Sequence, residues 1–281
     1  MTTDASGSLS AARVGRVALR VASLDGVLPF YRDVVGAAVE REGDRALLRA
    51  GDGPLVVLEA EPSAPARPAD AAGLFHLAIR VPDRGSLGDV LERVRERGSL
   101  SGASDHLVSE ALYLRDPEGN GVEVYCDRPR SEWPRTDGGV SMDTLPLALD
   151  DLAAAARGET GLPGGTDVGH VHLEVTDLDR STAFYADALG LGVQDDGYEG
   201  ARFLAAGDYH HHVGLNVWNG RRAPAGASRG LAWFELLVPD RETLAAVRDR
   251  LVDRGHAVAG TDEGFAVDDP DGIEVRVAVA A

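Results

Sequence analysis

The sequence predicts an α+β fold built from four βαβββ modules, and two observations carry this prediction. First, the chain repeats itself: LPFYRDVVGAAVE at 28–40 resembles TAFYADALGLGVQ at 182–194, and DRGSLGDVLERVRERG at 83–98 resembles DRETLAAVRDRLVDRG at 240–255. Second, four segments share one order of elements. Each has an alternating apolar strand, a turn and an amphipathic helix, followed by short strand patterns broken by Gly, Asp and Asn.

The repeats divide the chain into two homologous domains, 13–127 and 167–279, joined by a linker at 128–166. The linker is rich in Pro, Gly and charge, and has one short helical patch near 146–157. Each domain holds two modules. Amphipathic patterns that end at or just before a glycine predict one helix in each module, at 26–35, 86–98, 179–189 and 241–254.

Composition limits the class of protein. The chain has 281 residues with 46 acidic and 28 basic side chains, a formal net charge of −18, which argues against nucleic acid or an anionic membrane as a partner. The single cysteine, Cys126, excludes an intramolecular disulfide and a multi-cysteine metal site, and is expected to be inert packing. The N-terminus has no apolar targeting segment, and no apolar run is long enough to span a membrane. We therefore expect a soluble cytoplasmic protein.

Strand alternation predicts which side chains leave the helix-covered face of a sheet. In the first strand of module two, the alternate apolar residues from Phe75 to Val81 should pack on the helices, which leaves His76 on the opposite face. In module three the same alternation places His170 and His172 on that face. His76 and His170 are equivalent, because each lies seven residues before a strand-end aspartate.

A second set of polar residues lies in SDHLVSEALYLRDPEGNGVEVYC, which contains His106, Tyr113 and Glu123. Alternation again turns Tyr113 and Glu123 away from the helices. A buried carboxylate needs a partner, and a divalent metal shared with His76 and His170 would supply one. Two histidines and one carboxylate are typical of non-haem Fe(II) oxygenases, although Zn(II) or Mn(II) could accept the same ligands.

The four modules and their FY and DPxG motifs resemble the vicinal oxygen chelate superfamily, which includes glyoxalase I and the extradiol dioxygenases. The resemblance implies that modules pair into two cup-shaped half-barrel sheets covered by helices, with a divalent metal inside a cup. Because the candidate ligands come from modules two and three, we expect these two modules to share one cup. A separation of His76 and His170 beyond about 6 Å would contradict this pairing.

The spacing of His106, Tyr113 and Glu123 is similar to the motif of extradiol ring-cleaving dioxygenases such as catechol 2,3-dioxygenase. The resemblance implies that Glu123 binds Fe(II) together with His76 and His170. It also implies that Tyr113 and His106 hold and polarise the substrate and oxygen.

Extradiol enzymes keep an acid–base histidine in the last strand of the module that lacks the glutamate, here within GDYHHHVGLNVW. Alternation favours His212 for this role, with His211 as the second choice. Asn216 aligns with Glu123 in this reading. The remaining residues expected to contact either the substrate or the ligands are His172, His210, His211 and Asn216.

The resemblance therefore implies an Fe(II)-dependent extradiol dioxygenase that acts with O2 on catechol or a substituted catechol. Two alternatives stay open at this stage. One is a metal-dependent lyase, isomerase or transferase of the same superfamily, although glyoxalase I-like members use a glutamate from both modules and this chain offers one. The other is a metal-free small-molecule-binding protein. Assembly into a homo-oligomer is common in the superfamily.

Overall fold

The strands form two curled eight-stranded sheets and one small hairpin in the computed structural model, which describes residues 9–136 and 139–280. The expectation that the N-terminus has no apolar targeting segment rests largely on residues 1–8. These residues lie outside the described residues, as do linker residues 137–138. None of the helices within the described ranges is long and apolar enough to cross a bilayer.

One sheet has the strand order β16-β17-β18-β15-β1-β4-β3-β2. Its strands are β1 (Arg13–Val21), β2 (Ala38–Glu42), β3 (Arg45–Ala50), β4 (Gly53–Ala60), β15 (Gly230–Val238), β16 (Ala259–Gly260), β17 (Gly264–Asp268) and β18 (Glu274–Val279). The other sheet has the order β12-β13-β14-β11-β5-β8-β7-β6. Its strands are β5 (Gly73–Arg80), β6 (Gly102–Asp105), β7 (Ser109–Arg115), β8 (Gly121–Asp127), β11 (Asp167–Glu174), β12 (Gly192–Asp195), β13 (Ala201–Ala205) and β14 (Val213–Asn216).

Together with the π-helical turns that follow the first and third of them, the four module helices begin and end within two residues of the predicted positions. The helices are α1 (Leu24–Pro29), α2 (Arg84–Arg97), α3 (Leu149–Ala153), α4 (Leu178–Ala183) and α5 (Arg241–Asp253), of which α3 lies in the linker. A π-helical turn extends α1 over Phe30–Val35 and α4 over Phe184–Ala188. Gly36 follows the first of these turns with φ +92°, a left-handed conformation that glycine adopts without strain.

Each sheet is shared between the two repeats. Strand β5 pairs antiparallel with β11 at the centre of one sheet, and β1 pairs antiparallel with β15 at the centre of the other. Modules two and three therefore form one cup, and modules one and four form the other, which confirms the predicted pairing. The division into domains at 13–127 and 167–279 remains a prediction about the units of the sequence.

The repeated motifs contact each other on the helix-covered side. The buried Tyr31 hydroxyl donates to Asp116 at 3.1 Å, and the buried Tyr185 hydroxyl donates to Asp269 at 3.0 Å. Each pair joins the FY motif of one module to the DPxG turn of the next module in the same repeat. Helix-side contacts thus join modules within a repeat, whereas strand pairing joins modules from different repeats.

One continuous apolar core lies between the helices and the sheets, and includes Leu77, Ile79, Val122 and Leu173. Cys126 belongs to this core, as expected, and burial raises the pKa of its thiol to about 12. An unionised thiol at neutral pH is a poor nucleophile, so Cys126 acts as a packing residue.

The linker contains regular secondary structure and packs against the rest of the protein. It contains the short hairpin β9 (Arg135–Thr136) and β10 (Gly139–Val140), and helix α3, which is shorter than the predicted helical patch. Its Trp133 and Val140 pack in a small apolar cluster with Val108, Ala205 and Tyr209. The linker therefore contacts both modules of the cup formed by modules two and three.

Candidate metal centre

His76, His170 and Glu123 meet inside the cup of modules two and three. Three adjacent strands position them: β5 carries His76, β11 carries His170 opposite Ala78, and β8 carries Glu123, also beside Ala78. The two histidine Nε2 atoms lie 3.4 Å apart. Glu123 Oε2 is 2.9 Å from His76 Nε2 and 3.3 Å from His170 Nε2.

The spacing of these three atoms suits a single transition-metal ion. With ligand bonds of about 2.1 Å, neighbouring ligand atoms stand about 3.0 Å apart in an octahedral site and about 3.4 Å apart in a tetrahedral one. The observed separations of 2.9, 3.3 and 3.4 Å lie close to these values. Within the described residues, these side chains form the group whose ligand atoms could hold an ion. The 3.4 Å separation of His76 and His170 also meets the condition set for a shared cup.

The protonation states also suit ligation. Burial opposes ionisation of Glu123, yet the adjacent His170 and His76 hold the pKa of its carboxyl well below the usual range. Burial lowers the pKa of His170 to about 4, so its imidazole is neutral at physiological pH and keeps a lone pair. An ionised carboxylate and neutral imidazoles are the forms that bind metals.

A cavity of about 280 Å³ opens directly onto these three residues. Its walls are mostly aromatic or imidazole, with the carboxylate and a few small polar groups between them. The lining residues are Phe75, His76, Ser104, His106, Ser109, Tyr113, Glu123, Met142, Thr144, His170, His172, Tyr198, Phe203, His211 and Trp218. A larger groove of about 740 Å³ lies elsewhere, beside Arg16 and Thr166, and contains none of the three candidate ligands.

Phe75 lines this cavity, although alternation placed it on the helix side. The pairing of β5 with β11 shifts register here: His172 faces His76, but the next residue, Leu173, faces Leu74. This bulge turns Leu74 into the core and Phe75 towards the cavity, where its ring lies 5.6 Å from that of Trp218. The prediction for Phe75 was wrong because a bulge interrupts the alternation of side chains.

His106 and Tyr113 form a hydrogen-bonded pair at the cavity wall. His106 Nδ1 lies 2.7 Å from the carbonyl oxygen of Asp143, which can only accept, so Nδ1 carries the proton. His106 Nε2 is then the acceptor for the Tyr113 hydroxyl at 2.7 Å. The linker thereby fixes the tautomer of His106, and the lone pairs of the Tyr113 oxygen remain available at the cavity.

His211, not His212, lines the cavity. The ring centroids of His211 and His170 are 4.0 Å apart, so His211 stands next to a candidate ligand. His212 lies outside the cavity, where its Nδ1 accepts a hydrogen bond from the Ala206 amide at 3.1 Å. Alternation favoured His212 by extending the pattern of β14 backwards, but that strand begins at Val213 and the three histidines precede it.

His172 and Gly214 show that the alignment of Asn216 with Glu123 was wrong. Glu123 pairs with Ala78 on β5, two residues beyond His76. The corresponding pair in module three is His172 with Gly214. A Cβ atom at Gly214 would lie 2.7 Å from the His172 ring, so glycine makes room for this imidazole. Asn216 is buried away from the cavity.

The amide of Asn216 instead donates to the carbonyl oxygen of Leu173 at 3.2 Å. His210 is also buried, and its Nε2 lies 3.0 Å from Asp127 Oδ1. Sequence reasoning missed Asp127, and it missed the cavity wall formed by Met142 and Thr144 of the linker. Asp127 is the last residue of the strand that carries Glu123. This position is the one feature of the sequence that could have identified it.

The fold and the three converging side chains define a protein of two half-barrel sheets with a candidate metal centre in one of them. A family model described as the Glyoxalase/Bleomycin resistance protein/Dioxygenase superfamily matches residues 13–124 and 167–277. The chain belongs to this superfamily, as the sequence motifs predicted.

Individual relatives narrow the class. Catechol-2,3-dioxygenase of Bacillus subtilis (strain 168) is 42% identical over 267 residues, which covers 92% of this chain and 93% of that protein. Biphenyl-2,3-diol 1,2-dioxygenase 3 of Rhodococcus globerulus is 29% identical over 160 residues, which covers 54% of this chain and 84% of that protein. These relatives confirm the prediction of an enzyme of the extradiol dioxygenase type.

The crystal structure of glyoxalase I from Zea mays superposes with a TM-score of 0.59 at 18% identity, covering 96% of this chain and 92% of that one. At this identity the likeness concerns the fold alone.

Proposed function

We propose that the protein is an Fe(II)-dependent extradiol dioxygenase that opens the ring of catechol or a substituted catechol with O2. The observation that carries the proposal is the position of His76, Glu123 and His170 at the base of an aromatic cavity, with Tyr113 and His211 on its walls. Similarity to catechol and biphenyl-diol dioxygenases supports the choice of substrate class. A cytoplasmic location and a homo-oligomeric state stay predictions.

The donor set supports Fe(II). Two imidazoles and one carboxylate occupy one side of the site, which leaves the cavity side free for small ligands. When bound, Fe(II) would supply the Lewis-acid and redox chemistry that joins catechol to O2. Burial of Glu123 and His170 keeps water from competing for these ligand atoms.

The other cavity residues would bind and orient the substrate. The aromatic rings of Phe75, Phe203 and Trp218 offer faces against which a flat ring can pack. At about 280 Å³, the cavity lies just below the 300–1,000 Å³ of typical drug-sized ligand pockets, so it favours a single ring with small substituents. The Tyr113 oxygen, held by His106, can accept a hydrogen bond from a catechol hydroxyl.

His211 is the residue that we propose as the acid–base group. Its Nδ1 is engaged with His210 at 2.8 Å, which leaves Nε2 as the atom available at the cavity. Burial holds the pKa of His211 well below the ordinary value, so the ring is neutral before substrate binds. A neutral imidazole beside the candidate ligands can take the proton of a catechol hydroxyl and return it later.

Reconstitution tests the proposed reaction. The protein is loaded with Fe(II) without oxygen, mixed with catechol and then exposed to air. We expect a yellow ring-opened semialdehyde and consumption of one O2 per catechol. The Zn(II)-loaded protein should give no product and serves as the control. Bound iron without turnover across a panel of catechols would overturn the proposal.

Two neighbouring variants test the acid–base assignment. Replacing His211 with Asn should lower kcat by a factor of about 10²–10⁴, the usual contribution of a general acid–base group. Replacing His212 with Asn should leave kcat within about tenfold, because its ring does not line the cavity. Steady-state oxygen uptake measures both, with metal content as the control. The reverse order of effects would return the role to His212.

A further inference from the structure

We propose that Asp127 and His210 are positioning residues that hold His211 in the tautomer with a bare Nε2 at the cavity. The three residues form one hydrogen-bonded chain, Asp127–His210–His211, which we call the relay. The importance of the relay for catalysis rests on the proposed function of His211. The tautomer follows from the contacts with His210 as a neutral imidazole, which is part of the proposal.

The relay begins at a carboxylate surrounded by donors. Arg80 Nη1 donates to Asp127 Oδ2 at 3.1 Å, and the Tyr209 hydroxyl donates to the same oxygen at 3.0 Å. Arginine is always protonated and has no acceptor, so Asp127 is held as an acceptor. His210 Nε2, 3.0 Å from Asp127 Oδ1, must therefore carry a hydrogen and donate it.

That assignment determines the next bond. A neutral imidazole has one N–H, so His210 Nδ1 is bare when Nε2 donates. The two Nδ1 atoms of His210 and His211 are 2.8 Å apart, which requires one donor and one acceptor. His211 Nδ1 is therefore the donor, and His211 Nε2 keeps its lone pair. Nε2 has no hydrogen-bond partner within residues 9–136 and 139–280, and it is the atom that can accept a substrate proton.

The surroundings of His210 keep water away from the middle member of the relay. His210 is 1% exposed, and the rings of Tyr209 and Trp133 lie 4.0 Å and 5.2 Å from its ring. Asp127 is fixed in turn through Arg80, which also donates to Asp167 at 2.6 Å. His210 is therefore shielded from solvent, whereas the Arg80 and Asp127 side chains are 31% and 21% exposed. Because its middle member is buried, the protein and not exchange with solvent sets the tautomer.

Replacing Asp127 with Asn should invert the relay without removing any side chain. The amide oxygen must face Arg80, because arginine only donates, so the amide NH2 must face His210 Nε2. His210 Nε2 then accepts, its Nδ1 carries the hydrogen and donates, and His211 Nδ1 accepts. His211 Nε2 becomes an N–H, the wrong form for a base.

Tyr209→Phe is the matched control. It removes a hydroxyl that donates to the same carboxylate, and it keeps the ring against His210 and the Asp127–His210 bond. The tautomer of His211 should therefore be unchanged in Tyr209→Phe. If Asp127→Asn and Tyr209→Phe destabilise the protein equally, any difference between them in the His211 tautomer or in kcat comes from the relay.

Ring ¹⁵N chemical shifts of the histidines measure the tautomers directly, in the full chain without metal and again with diamagnetic Zn(II). In the unmodified protein we expect a pyrrole-type Nδ1 and a pyridine-type Nε2 for His211, and the opposite for His210. Asp127→Asn should exchange the two nitrogens of His211. If His211 has Nε2–H in the unmodified protein, the relay is overturned whether or not the variants fold.

Turnover of the Fe(II)-loaded protein is the second measurement, and it tests the positioning role of Asp127. Asp127→Asn should lower kcat at least about tenfold with KM changed by less than about threefold, whereas Tyr209→Phe should change neither by that much. An exchanged tautomer with unchanged kcat would overturn the positioning role. If His211→Asn lowers kcat while the spectrum contradicts the relay, the proposed function stands and this inference falls.

Discussion

The two cups share one arrangement of strands but carry different side chains at equivalent positions. In the cup of modules two and three, His76, Glu123 and His170 converge on a cavity. Strand register identifies the equivalent positions in the cup of modules one and four. They are occupied by Trp233, Arg276 and Arg16.

The equivalence follows from the pairing of residues. Glu123 pairs with the residue two beyond His76, and Arg276 pairs with Glu235, two beyond Trp233. On the other side of each first strand, His76 pairs with His172, two beyond His170. Trp233 correspondingly pairs with Ala18, two beyond Arg16.

The difference teaches that two cups of the same sheet architecture can carry different donor sets, because side chains and not the sheet set the chemistry of a cup. The Arg276 guanidinium lies 4.0 Å from the centre of the Trp233 ring, a cation–π contact. Arg16 Nε donates to the buried Glu235 at 2.9 Å. This cup contains its own cations, Arg16 and Arg276, whereas the other cup brings a carboxylate and two imidazoles together.

Equivalent substitutions in the two cups should have unequal effects, and the largest concerns metal binding. Glu123→Ala removes the one carboxylate of the candidate centre, and should lower Fe(II) affinity at least about 100-fold and remove turnover. Arg276→Ala, its counterpart, should leave stoichiometric iron. Metal analysis after dialysis against a weak chelator measures both. Equal iron loss in the two variants would refute the distinction between the cups.

The next effect concerns stability in the cup of modules one and four. Trp233 is buried, so Trp233→Ala should lower the free energy of unfolding by about 3–5 kcal/mol, measured with urea. Iron content and kcat per folded molecule should not change. Trp233→Phe keeps an aromatic face under Arg276 and should lose less than half as much. A change in iron affinity would show that the cups are energetically coupled.

The third effect compares the DPxG turns that precede β18 and β8. Burial raises the pKa of Asp269 to about 6, above the unfolded value of about 3.9. The folded state therefore binds this proton more tightly, and its stabilising contribution is complete below about pH 4 and lost as the pH rises through about 6. The full contribution is about 3 kcal/mol.

Asp269→Asn stays neutral, so its stability relative to the unmodified protein should rise between pH 4 and pH 6 and then stay constant. Urea unfolding at each pH measures this difference, in which the other carboxylates cancel. Asp116→Asn should change in the same direction, because burial also raises the pKa of Asp116. A difference that is flat with pH would contradict the effect of burial on Asp269.

Much of the fold could be predicted because the repeats and the strand alternation are regular. His76, His170 and Glu123 lie within continuous ladders, where alternation reliably separates the two faces. The same argument failed at Phe75, where a bulge adds a residue, and at His212, which precedes its strand.

Other features depend on contacts between distant parts of the chain. The relay requires Asp127 and His210 to meet across the cup, and local sequence patterns carry no information on that contact. The wall formed by Met142 and Thr144 depends on the path of the linker, whose composition predicted only a connection. The pairing of modules was predictable because the candidate ligands were already assigned to modules two and three.

Strand pairing between repeats makes this chain equivalent to a dimer joined by a tether. In a symmetric pair of separate identical chains, every substitution appears in both cups, so a change that suits one is imposed on the other. Fusion through 128–166 removes that constraint and keeps the halves at a high effective concentration. One cup can therefore carry arginine and tryptophan at the positions where the other carries two histidines and a glutamate.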